Sequence, residues 1–107
     1  MAKPNFSFSD RSSERGPVRL VEFEIPGGVT TVPEFAAAVA EIEATLPGRV
    51  PVFFSGRGPV WGYGMLLHAA HPTPATGTYD PRLGFIVVAS HDERYRVGDI
   101  IPELVAA

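Results

Sequence analysis

Apolar and polar residues change period several times along this chain, and each change marks an element. From Pro17 the two alternate, with Val18, Leu20 (then Val21), Phe23 and Ile25 set against Arg19, Glu22 and Glu24. A period of two predicts a strand with one wetter face, ended by Pro26-Gly27-Gly28. The period then lengthens: Phe35, Val39, Ile42 and Leu46 recur at helical spacing, and Ala at 36, 37, 38, 40 and 44 adds propensity. Thr31 and Glu34 fit a capping box at the helix start, and Pro47-Gly48 stops it. Glu41 and Glu43 lie on its solvated side. Val50-Pro51-Val52-Phe53-Phe54 is nearly all apolar, which predicts a short strand covered on both faces, with Pro51 near its beginning.

A second helical stretch, VWGYGMLLHAAH, runs up to Pro72-Thr73-Pro74. A strand over about 75–79, the turn Asp80-Pro81-Arg82-Leu83-Gly84 and the strand FIVVAS (85–90) follow, and RYRVGDIIPELV adds a turn and a short strand. Residues 1–16 are polar, Ser-rich and without period, and read as a flexible N-terminal extension. Residues 17–107 then form a single compact α/β domain. The order β-α-β-α-β-β implies a mixed sheet: two crossover helices give parallel neighbours, and the DPRLG turn gives a C-terminal β-hairpin.

Composition narrows the chemistry. The 107 residues suffice for one domain with its own core, and 11 Gly with 11 Pro predict short elements and tight turns. Without cysteine there is no disulfide framework or thiolate metal site, so a metal would need His and carboxylate ligands. No secretory pattern and no membrane-length apolar run is present, so the cytoplasm is the simplest compartment and no membrane partner is expected. The net charge of −3 argues against broad nucleic-acid binding, duplex DNA included. That charge is uneven. Residues 55–91 carry only Arg57, Asp80 and Arg82, whereas the other 70 residues carry seven basic and eleven acidic side chains. An anion meets its least unfavourable field in the central stretch.

The same stretch holds every histidine: His68, His71 and His91. Ser55-Gly56-Arg57-Gly58-Pro59 sits where a strand hands over to a helix. Pro59 suits the first helical position, which makes Gly58 the N-cap, and free N–H groups there with Arg57 suit a phosphate. A structural turn with a surface arginine is the plain alternative. Gly62 and Gly64 each cost about 1 kcal/mol relative to Ala in a helix, which implies a close neighbour. Trp61, Gly64 and His68 share a helix face that a purine, a helix or another subunit could cover. His71 ends the helix, Asp80 ends one strand and His91 ends the strand paired to it. Each has an ordinary structural reading, the helix dipole for His71 and turn chemistry for Asp80. Gathered together, they suit a divalent cation such as Mn²⁺, or general acid–base work on a phosphodiester.

SGRGPVW (55–61), YDPRLG (79–84), Ser90-His91 and Arg96-Val97-Gly98-Asp99-Ile100 together resemble the CRISPR-associated Csx-three family, small ring nucleases of type III CRISPR defence. The resemblance runs from about Val18 to Val105. It implies Mn²⁺-dependent cleavage of cyclic tetra-adenylate, a second messenger, into linear di-adenylates, which switches off CRISPR signalling. It also implies a homodimer that pairs further into a tetramer or filament, with the ligand between dimers and site residues from both sides. By the same resemblance His71 and Asp80 are catalytic with His91, and Asp80 and His91 are metal ligands. Ser55, Gly56, Arg57, Gly58, Trp61, His68 and Arg82 contact the ligand. Some members carry a further nucleotide-binding domain, so the chain is either a stand-alone enzyme or one domain of a longer protein. Two other readings stay open: a binding module that sequesters cyclic oligoadenylate without turnover, and a nuclease for the 3′ ends of linear RNA.

Overall fold

Strand β2 (Gly16–Glu24) lies near the middle of the sheet in a computed structural model that describes residues 2–46 and 48–107. Its alternation feeds two cores: Val21, Phe23 and Ile25 face the helices, while Val18 and Leu20 face the opposite side. The wetter positions, Glu22 and Glu24, gather at its carboxyl end. Helices α1 (Val32–Glu43) and α2 (Val60–Ala69) are the two crossovers, linking β2 to β3 (Val52–Gly56) and β3 to β4 (Ala75–Asp80). All three strands run parallel, and β4 turns back antiparallel into β5 (Gly84–Ser90). Val52, Phe53 and Phe54 are wholly buried, Phe53 in one core and its neighbours in the other, as an all-apolar central strand requires.

The expectation of a loose extension over residues 1–16 is corrected. Residues 5–13 form strand β1 (Asn5–Ser13), paired antiparallel with β2 from Asn5↔Glu24 to Ser13↔Gly16. Only Phe6 and Phe8 interrupt its polar run, so periodicity could not reveal it. Its place comes from the main-chain ladder, from Phe6 packing on the helix-side core, and from the cross-strand pair of Asp10 with Arg19 at 3.1 Å.

The short strands β6 (Ile100–Ile101) and β7 (Val105–Ala106) complete the order β6-β5-β4-β3-β2-β1-β7. They occupy opposite edges, yet only residues 102–104 separate them, so the sheet curls. Phe53, Phe85, Val87, Tyr95, Ile101 and Leu104 fill the inside of that curl.

Local signals in the sequence hold with two adjustments. The Thr31 hydroxyl accepts from the Glu34 N–H at 3.2 Å, but Glu34 reaches back to the Thr31 hydroxyl (2.9 Å) rather than to its N–H. Pro59, not Gly58, is the N-cap of α2, and the helix begins one residue later than expected. The helix stop assigned to Pro47 lies outside the described residues.

The RVGD segment is a fastener. The Asp99 carboxylate accepts from the Arg96 N–H (2.9 Å) and from the Arg15 guanidinium (2.5 Å), while Tyr95 shares a 2.9 Å hydroxyl contact with Ser13. Gly98, at φ +94°, supplies the left-handed residue this turn needs. The Arg96 N–H and then Arg15 hold the Asp99 carboxyl below the usual carboxylate range. A lowered folded-state pKa contributes stability above the unfolded value and loses it as pH falls through the folded one. Asp99→Asn should therefore shallow the acid limb of a plot of unfolding midpoint against pH. An unchanged acid limb would show that the Arg15–Asp99 clasp adds nothing.

Candidate functional site

The carboxyl ends of the parallel strands β2, β3 and β4 open onto two adjoining clefts, the usual place for ligands in α/β sheets. The segment 55–59 leaves β3 between them. Gly56 is fixed by packing: a Cβ there would lie 2.4 Å from the Phe23 carbonyl oxygen and 2.7 Å from its ring. A Cβ at Gly58 would fall 2.8 Å from the same ring. These glycines are thus explained by Phe23 beneath the loop, not by a phosphate above it. Tyr63 adds a second tie, its hydroxyl donating to the Gly56 carbonyl, and burial pushes its phenol pKa up, which keeps that donor protonated.

Arg57 is the exposed side chain of this loop and forms no hydrogen bond or salt bridge among the described residues. It lines both clefts. The first, about 380 Å³, lies between the turn after β2 (Ile25, Gly28–Thr30) and the start of α2 (Pro59, Trp61). The second, about 650 Å³, runs along α2 past Val60, Gly64 and Leu67 toward Thr78, Tyr79 and Val88. The expected common face of Trp61, Gly64 and His68 is therefore split, with Trp61 in one cleft and Gly64 in the other. The two helix glycines also differ. Gly62 accommodates Phe35, whose ring would lie 2.9 Å from an added Cβ, whereas Gly64 has open space.

Asp80 sits at the same end as Arg57, at the carboxyl end of β4. Its carboxylate accepts from the Arg82 N–H at 2.8 Å and meets the Arg82 guanidinium at 3.4 Å. The Arg82 N–H first, then its guanidinium, lower the Asp80 pKa. Asp80 is thus a carboxylate at neutral pH, able to accept a proton or hold a cation but not to act as an acid. Ser55 lies half-buried in β3, and Arg82 is exposed on the turn.

The histidines are elsewhere. His71 and His91 lie edge to face with ring centroids 5.1 Å apart, and the His91 N–H donates to the Pro74 carbonyl at 2.7 Å. His68 is exposed one turn earlier on α2. Because β4 and β5 are antiparallel, Asp80 pairs with Gly84 at the turn while Ser90, next to His91, pairs with Ala75 at the far end. Five strand steps separate the two ends, about 17 Å.

Two expectations are thereby corrected. Asp80 and His91 do not meet by ending paired strands, since an antiparallel hairpin sends those ends apart. They also cannot share one metal ion within a chain, and no cluster of three or more metal-ligating side chains occurs among the described residues. One chain does not by itself fit the expected Mn²⁺. What sequence reasoning missed is the division of labour. Arg57 and Asp80 lie at one end of the chain's central layer, His71 and His91 at the other, and α2 lies between.

A family described as CRISPR-associated protein (Cas_csx3) matches residues 36–102. Among curated proteins, an uncharacterized protein of Aquifex aeolicus (strain VF5) is 42% identical over 85 residues, covering 77% of this chain and 75% of the relative. Among the described residues, no helix is long and apolar enough to cross a membrane.

Proposed function

Because this chain belongs to the CRISPR-associated Cas_csx3 family, we propose that it cleaves cyclic tetra-adenylate to linear di-adenylates and so ends type III CRISPR signalling in the cytoplasm. The observation that carries the proposal is the separation just described. Arg57 and Asp80 stand at one end of α2, and the paired imidazoles of His71 and His91 stand at the other, all at the surface. A symmetric ligand gripped between copies would meet the anion-holding end of one and the histidines of another. Two such composite sites, related by a twofold axis, suit two cuts in a four-nucleotide ring.

Each side chain then has a distinct role. Arg57 offers a planar, bidentate donor set to a phosphate oxygen, and a charge-assisted pair of this kind is the strong form of hydrogen bond. Asp80, held anionic by Arg82, orients or accepts. His71 is the general base or acid at the scissile bond, and His91, against its ring, positions it. The Mn²⁺ requirement implied by the family is read in the same assay, with chelator and with the metal restored. Incubating the protein with cyclic tetra-adenylate and resolving the products tests the proposal. Intact ligand at high protein concentration would defeat it, and faster cleavage of linear RNA ends would redirect it to the exonuclease reading.

One observation favours the sequestering alternative. Arg57 and its two clefts lie together in a single chain, so ligand can be held where no histidine reaches. Arg57→Ala should weaken binding on either reading, by about tenfold or more, in isothermal calorimetry with cyclic tetra-adenylate. Binding without turnover in the unaltered protein would select the sequestering module.

A further inference from the structure

The smaller cleft beside Arg57 has features that phosphate binding does not use. Trp61, the sole tryptophan of the chain, keeps 40% of its surface exposed while touching Phe35 at 5.6 Å with an 83° interplanar angle. Its open face borders the cleft, so an aromatic ring entering there could stack on it. Across the cleft, Thr30 lines the wall and its buried hydroxyl has no hydrogen-bond partner. A buried unpartnered hydroxyl is costly, and such groups often await a ligand or water. The volume of about 380 Å³ is within the range of small-molecule sites, and Arg57 stands at its rim.

We infer that the cleft between Trp61 and Thr30 is a nucleobase pocket, in which the indole stacks on the base of a nucleotide whose phosphate Arg57 holds. The Thr30 hydroxyl, after rotation about its Cα–Cβ bond, meets a polar edge of that base. The pocket itself rests on this cleft; that its base is adenine rests on the ring-nuclease reading.

Because the tryptophan is unique, its fluorescence reports the pocket directly. Titration with cyclic tetra-adenylate, and at higher concentration with adenosine 5′-monophosphate, should quench the emission; inorganic phosphate should not. Trp61→Leu should weaken calorimetric binding on the order of tenfold, the loss of one base–aromatic stack. Thr30→Val should weaken binding severalfold without lowering the unfolding midpoint, since it removes an unpartnered polar group, and a purely structural threonine would not give that combination. Cyclic ligand that binds or is cleaved with unchanged fluorescence overturns the pocket and leaves the ring-nuclease reading standing. Quenching without cleavage upholds the pocket and overturns that reading. Failure of every adenylate to bind overturns both.

Discussion

Mixing a His71→Ala protein with an Asp80→Asn protein should restore cleavage of cyclic tetra-adenylate to about a quarter of the unaltered rate. Each variant alone should fall by roughly 10²–10⁴, the usual contribution of a positioned proton-transfer group. The recovery follows from the antiparallel hairpin. With Asp80 about 17 Å from the His71–His91 pair, a working site on the proposed function would draw its histidine from one copy and its aspartate from another. A mixed pair then holds one site with both groups and one with neither, and random assortment makes half of all pairs mixed. Recovery that appears on mixing and grows with protein concentration is the expected signature. Mixtures that stay as inactive as their components would mean that each chain assembles its own site, by a movement that closes the gap.

The largest effect on stability is expected at Phe23. Its ring meets Phe6 at 5.9 Å, Phe35 at 6.0 Å and Tyr63 at 5.4 Å, and it also supports Gly56 and Gly58. Truncation to alanine removes a buried aromatic and leaves a void, at about 3–5 kcal/mol. It also removes what the 55–59 loop rests on. Phe23→Ala should therefore lower the denaturation midpoint sharply and weaken ligand binding even where the protein remains folded, while Phe23→Leu should recover part of both. A truncation costing under about 1 kcal/mol would show that the ring supports neither core nor loop.

The parts of this molecule legible from sequence are those in which one residue sets one local geometry. Thr31 caps α1, the alternation around Phe23 makes β2, and DPRLG turns β4 into β5. β1 was not legible, because its serines have no apolar period and its stability lies in main-chain pairing with β2. The site was legible as a set of residues but not as an arrangement. Asp80 and His91 each end a strand, and proximity depends on whether those strands run together or opposed. The short turn implies an antiparallel hairpin, and an antiparallel hairpin places the carboxyl end of β4 at the opposite end of the sheet from that of β5. Gly56 and Gly58 illustrate a further limit. A glycine in a turn looks the same in sequence whether a ligand or a phenyl ring lies against it, and only the position of Phe23 distinguishes the two.

The three-residue span from Pro102 to Leu104, which carries the chain from one border of the sheet to the other, has a bearing on assembly. Exposed borders invite strand addition from neighbouring molecules. Here a two-residue strand of the same tail caps part of each border, beside Phe85 and Ile86 on β5 and beside Arg11 and Ser12 on β1. The capped part of each border is closed to strand addition, which leaves helices, loops and open clefts as surfaces through which copies could meet. On the proposed function, contacts of that kind would separate once the bridging ligand is cut, giving the reversible association that ending a signal requires.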